Sequence, residues 1–354
     1  MKLANPLAQD LDSILSQTES LWPDLREGKI FITGGTGFFG CWMLESFVWC
    51  NDHLDLGAEA VVLTRNAAAF QKKIPHLAAN PAIHFHEGDV RIFEFPAGTF
   101  SHVIHAATEA SAQLNAEQPL LMFDTIVDGT RRVLELARAS GAKKILLTSS
   151  GAVYGRQPAE LTHVPEEFQG APDAANPASA YGEGKRAAEM LCGLYQKQFG
   201  LETKIARCFA FVGPHLPLDT HFAIGNFIRD AMNGSSIKIN GDGTPFRSYL
   251  YAADLAAWLW TILFKGESCR PYNVGSEEAL SIAQVARTVV KVVNPNLKIE
   301  IARPPVSGKM PERYVPQISR ATQELGVRQT ISLDVAVRRT LAWHSQSQTQ
   351  ASSA

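Results

Sequence analysis

Three glycines at three-residue spacing, Gly34, Gly37 and Gly40, stand in the segment Thr33-Gly34-Gly35-Thr36-Gly37-Phe38-Phe39-Gly40. A short apolar run, Lys29-Ile30-Phe31-Ile32-Thr33, precedes them, and an apolar stretch from Cys41 to Cys50 follows. The order is strand, turn, helix. It aims backbone N–H groups and the positive end of a helix at a pyrophosphate, and glycine is needed where a side chain would block that approach. Gly34, Gly37, Phe38, Phe39 and Gly40 are therefore expected to hold a dinucleotide.

The next strand, Ala60-Val61-Val62-Leu63, ends in Thr64-Arg65-Asn66, where an adenosine ribose would lie. An acidic side chain there binds a 2′-hydroxyl, whereas arginine accommodates a 2′-phosphate. Arg65 thus leans the cofactor toward NADP over NAD, unless it only stacks on adenine. A further strand ends in Gly88-Asp89-Val90, with Asp89 placed to accept a hydrogen bond from the adenine amino group. His102-Val103-Ile104-His105-Ala106-Ala107, followed by Thr108, reads as a buried strand whose small last residues let the backbone pass close to the cofactor. Strands alternating with helical stretches predict an α/β fold with a Rossmann-type doubly wound parallel sheet.

Lys144-Ile145-Leu146-Leu147-Thr148 delivers Ser149-Ser150 to the carboxyl edge of that sheet, where open parallel sheets place their chemistry. Downstream, Tyr181 and Lys185 are spaced to share one helix face, so that the ammonium can lower the phenol's pKa. Ser150 donating to a substrate oxygen, Tyr181 exchanging its proton and a nicotinamide exchanging a hydride would converge on one carbinol.

Taken together, these segments resemble the extended short-chain dehydrogenase/reductase family, in its nucleotide-sugar epimerase and dehydratase branch, over roughly residues 28 to 340. The glycine turn, Gly88-Asp89-Val90, Ser149-Ser150-Gly151-Ala152-Val153-Tyr154-Gly155 and the Tyr181/Lys185 pair carry the likeness. So do Arg207-Cys208 with Val212-Gly213-Pro214, Gly241-Asp242-Gly243 with Arg247, Tyr251 and Asp254, and Tyr272-Asn273-Val274-Gly275. The resemblance implies Ser150, Tyr181 and Lys185 as the catalytic set, with Lys185 also on the nicotinamide ribose. Arg247, and Arg313 as a second arginine, would hold a nucleotide diphosphate, which suits their bidentate hydrogen bonding. Asn226 is a further substrate contact by position. It also implies a smaller C-terminal substrate-binding α/β domain (207–249 and 279–343) beside a cofactor domain (28–206 and 250–278), and a homodimer built from the Tyr181 helix and its neighbour near residues 115–138.

Departures narrow the reaction. Dehydratases of this branch carry an acidic pair directly after the catalytic hydroxyl, and related decarboxylases keep a glutamate there; this chain has Gly151 and Ala152. Ile126 replaces a frequent asparagine, and Ala210 a commonly polar substrate contact. What remains is an epimerase working through a transient keto sugar, with Tyr181 as base. An NADPH-dependent keto-sugar-nucleotide reductase is the alternative; a dehydratase, a steroid or flavonoid reductase and a catalytically silent binding protein rank below.

The 354 residues, 45% of them hydrophobic, can bury a large core, and a net charge of −2 argues against nucleic-acid and anionic-membrane partners. A cytoplasmic chain with a small-molecule partner, a nucleotide-diphosphate sugar, is expected. The five cysteines lack Cys-x-x-Cys spacing and read as reduced thiols. His84 and His86 read as strand residues, so no metal is expected. His215 and His221 fall in a loop over the sugar. Residues 1–27 carry an amphipathic helix packed on the body or on a partner, and 344–354 read as a disordered tail.

Overall fold

The computed structural model describes residues 5–108, 111–220 and 222–351. Its framework is a parallel sheet made of β1 (Lys29–Thr33), β2 (Glu59–Thr64), β3 (Ile83–Glu87), β4 (His102–His105), β5 (Lys144–Ser150), β6 (Glu202–Cys208) and a seventh strand, Pro271–Val274. They lie in the order Pro271–Val274, β6, β5, β4, β1, β2, β3. The apolar runs of β1, β4 and β5 are buried almost throughout, as a sheet covered on both faces requires. The strand order reverses between β1 and β4, whose Thr33 and His105 pair in register, so a crevice opens beyond their carboxyl ends.

One face of the sheet packs against the helix Phe38–His53 and the helix Ala252–Lys265, which is buried at every position from Ala252 to Phe264. The other face packs against Pro119–Ala139 and Ala180–Phe199, through residues such as Val133, Leu134 and Leu191. Among the described residues, no helix is long and apolar enough to cross a membrane.

The N-terminal segment packs on the body of its own chain. A helix, Ala8–Thr18, passes at Glu19 into a tighter 3-10 turn, Glu19–Leu25, which contains Pro23, a residue with no N–H to continue the α-helical ladder. Leu11, Ile14, Trp22 and Leu25 are fully buried. Asp10 accepts from the Tyr251 hydroxyl at 2.6 Å and also pairs with Arg339.

Beyond Cys208 the chain builds a second region from short pieces. Phe246–Arg247 pairs antiparallel with Leu280–Ser281 and parallel with Arg313–Tyr314, and Ile237–Ile239 pairs with Ile299–Ile301. The last helix, Leu333–Ala351, continues through most of the stretch expected to be disordered. Leu333, Ala336, Val337 and Thr340 are buried, so packing nucleates this helix and each added residue extends it at little cost.

Candidate active site

The glycine turn at the end of β1 is tight for two different reasons. Gly34 has φ +72°, and a Cβ there would lie 2.4 Å from the Ala106 carbonyl. A Cβ on Gly40 would lie 2.2 Å from the Gly34 oxygen, so helix and turn touch backbone to backbone. Gly37 differs: a Cβ there would meet only the Gly34 oxygen, at 3.4 Å, an ordinary contact. The chain's own packing leaves that position room for a side chain, yet it lines the cavity at the start of the helix Phe38–His53. This open cradle beside a helix N-terminus fits a pyrophosphate, and the residues present therefore fit a dinucleotide.

The cavity measures about 640 Å³ and brings Gly34, Gly37, Phe38, Phe39, Ala106 and Thr108 together with Ser150, Tyr181, Lys185 and Ala210. Ser150 ends β5, its Oγ accepting from the Ala152 N–H at 3.1 Å, and its side chain lies near enough to Tyr181 to offset part of the effect of burial on that phenol. Lys185 Nζ donates to the Thr148 carbonyl at 2.7 Å and to Thr108 Oγ1 at 3.1 Å, and lies 5.9 Å from the centre of the Tyr181 ring. Burial pushes the Tyr181 phenol up to about 12 and Lys185 down to about 8. In the protein alone, burial penalises the charged form of both groups and outweighs the lowering expected from the ammonium, which is turned to two other oxygens.

Behind the turn, His105 is fully buried, and burial, then the Lys185 charge, holds it at about 3. It is therefore neutral. Thr130 Oγ1 donates to the Ile126 carbonyl at 2.6 Å, so it accepts from His105 Nε2 at 3.1 Å, and His105 Nδ1 accepts from Thr33 Oγ1 at 2.8 Å. Thr33 Oγ1 in turn accepts the Ala107 N–H at 3.3 Å, which ties the Ala106-Ala107 strand end to the turn. On the opposite side Ser149 donates to Glu189 at 2.5 Å, and Arg207 holds that carboxylate at 2.7 Å.

Other predicted residues are not among those lining this cavity. Thr64 is buried at the end of β2 and Arg65 beyond it is exposed. Asp89, expected on adenine, has its carboxylate engaged by Arg91 at 2.9 and 3.0 Å, and Val90 packs over Gly129. Asn226 accepts from Arg229 at 3.0 Å. Arg247 donates to the Phe246 carbonyl at 2.8 Å, and the Arg313 guanidinium lies 4.3 Å over the Phe246 ring. His215, expected over the sugar, is 5% exposed and turned inward between Trp42 and Trp343, its Nε2 3.6 Å from Glu45. His221 lies outside the described residues. The sequence reading overlooked Phe209, Phe211 and Tyr249, which line the cavity, and Tyr314, whose signal was its place beside Arg313.

A model described as the NAD dependent epimerase/dehydratase family matches residues 30–275. UDP-glucuronic acid decarboxylase 3 of Arabidopsis thaliana is 30% identical over 322 residues, which is 91% of this chain and 89% of that protein. UDP-glucuronic acid decarboxylase 1 of Xenopus tropicalis is 29% identical over 88% of this chain and 71% of its own length. Among solved structures, a UDP-galactose 4-epimerase matches with a TM-score of 0.72 and 26% identity over 90% of this chain and 99% of that one. UDP-glucose 4-epimerase of Thermotoga maritima shares the fold, with a TM-score of 0.76 at 21% identity over 90% and 99% of the two chains.

Proposed function

Because this chain belongs to the NAD dependent epimerase/dehydratase family, we propose that it is a nucleotide-sugar epimerase working through a transient keto sugar, with NAD or NADP in the glycine-lined half of the cavity. The observation that carries this reading is the meeting of Ser150, Tyr181 and Lys185 on one cavity without a carboxylate directly after Ser150 at the end of β5. Among the described lining residues the one carboxylate is Asp219, and it belongs to the loop after His215. Protonating a leaving group calls for an acid near the reacting carbon, and Gly151 and Ala152 supply none.

In this reading Ser150 donates to the carbinol oxygen and orients it, Tyr181 takes the carbinol proton, and Lys185, fixed by Thr108 and Thr148, binds the ribose. The cofactor, when bound, supplies the hydride acceptor and, oxidised, a positive charge that favours the phenolate. Tyr181 returns its proton to the same oxygen once the ketone has turned over. The names of the relatives support uridine diphosphate as the nucleotide. Arg65, exposed at the end of β2, supports the second reading, an NADPH-dependent reductase. Leu120, Met190, Leu194 and Phe199, exposed on Pro119–Ala139 and Ala180–Phe199, support a homodimer through that face.

The test is native mass spectrometry of protein purified without added cofactor, followed by proton NMR of UDP-glucose, UDP-galactose and UDP-glucuronic acid incubated with it. Retained NAD and an equilibrium mixture of epimers are expected. Release of carbon dioxide from UDP-glucuronic acid would replace epimerisation by decarboxylation, and stoichiometric consumption of NADPH with a keto sugar would put the reductase first.

A further inference from the structure

We propose that Tyr314 is a positioning residue whose hydroxyl donates to Ser150 and so turns the Ser150 proton into the cavity. The inference rests on the reading above in that Ser150 is the hydroxyl meeting the substrate. Arg313–Tyr314 belongs to the second region and pairs with Phe246–Arg247, not with the main sheet. It nevertheless brings the Tyr314 hydroxyl to 3.5 Å from Ser150 Oγ. The Tyr314 ring lies 4.7 Å from that of Phe209, which lines the cavity.

A serine hydroxyl has one proton and two lone pairs. The Ala152 N–H occupies one lone pair of Ser150. A proton donated by Tyr314 fills the other, and the Ser150 proton is then left for the cavity side, where Tyr181 and a substrate oxygen can receive it. Burial raises the Tyr314 phenol above its ordinary range, so it keeps that proton at every working pH. The same hydroxyl accounts for Gly151: a Cβ there would stand 2.8 Å from it and 2.7 Å from the Phe209 ring. A neutral donor from the second region thus occupies the space in which a side chain at residue 151 would begin.

The experiment uses the protein without added ligand, its seven tyrosines labelled with carbon-13 at Cζ and the Tyr181 resonance assigned by Y181F. At pH 7 the Tyr181 resonance is expected to move in Y314F, to move in the same sense in S150A, and to move no further in the double variant. Tyr195, Tyr251 and Tyr272, bonded to Glu135, Asp10 and Glu324, should keep their positions and report an intact fold. An unmoved Tyr181 resonance in Y314F, or shifts that add in the double variant, would overturn the proposal. With whichever UDP-sugar turns over, Y314F should lower kcat about tenfold, the effect of one hydrogen bond, with KM unchanged and no further loss beyond S150A. If none of the UDP-sugars turns over, the epimerase reading fails while the tyrosine resonances still decide this one.

Discussion

The two halves of the cavity are built by different means. The glycine-lined half is shaped by backbone: Gly34 against Ala106, Gly40 against Gly34, and the ends of β1, β4 and β5 in register. The other half is shaped by side chains from separate elements, among them Phe209, Phe211, Leu216, Phe222 and Tyr249. A backbone site depends on glycine positions a few residues apart, so it tolerates little change. A side-chain site depends on rotamers and loop placement, and can change its ligand without disturbing the sheet.

The contrast is sharpest within the glycine turn, where the largest effects are expected. G40A forces a Cβ into backbone 2.2 Å away, and should lower stability by about 3 kcal/mol, read as a drop in urea midpoint. G37A should leave the midpoint almost unchanged but weaken NAD binding more than tenfold by calorimetry. A G37A protein that binds NAD normally would break the argument that position 37 is kept open for a ligand.

A pH experiment probes where the halves join. Glu45, on the cofactor-side helix, accepts from His76 at 2.8 Å and faces His215, beside the cavity-lining Leu216. Burial opposes its ionisation, but the two imidazoles outweigh burial and hold it at about 2, while Glu45 raises the His76 pKa. A depressed carboxylate contributes stability that is present above its ordinary 4.5 and lost as pH falls toward about 2. A raised imidazole contributes stability that is present below its ordinary 6.5 and lost as pH rises through its folded value. The stability difference between wild type and E45Q should therefore peak between 4.5 and 6.5 and shrink on either side. A difference that does not vary from pH 3 to 8 would remove this link.

The smallest effect belongs to Arg65, an exposed side chain. R65A should cost roughly fivefold in NADPH affinity and little in NADH affinity, the scale of one surface charge. Equal losses for both would assign Arg65 to adenine stacking.

Much of the glycine-lined half's geometry was legible in the sequence because its determinants are local. Strand, glycine turn and helix lie within about two dozen residues, and Tyr181 and Lys185 are one helical turn apart. The protonation state of that pair was not legible: burial of both groups, and the Thr108 and Thr148 oxygens on Lys185, come from distant segments. Nor were the inward turn of His215, the Arg91 partner of Asp89 and the long final helix. Each reflects packing that overrode a local tendency.

By itself, the sequence determined a parallel α/β sheet, a tight glycine turn between its first strand and helix, and a serine, tyrosine and lysine brought to one cavity at its carboxyl edge, since period, spacing and steric need are written in neighbouring residues. Tertiary structure alone decided that Tyr314 meets Ser150, that the strands of Arg247 and Arg313 pair side by side, and that Asp10 anchors the N-terminal helix to Tyr251 and Arg339. Those contacts join residues far apart in the chain, and only the packed fold sets the distances and desolvation on which their chemistry depends.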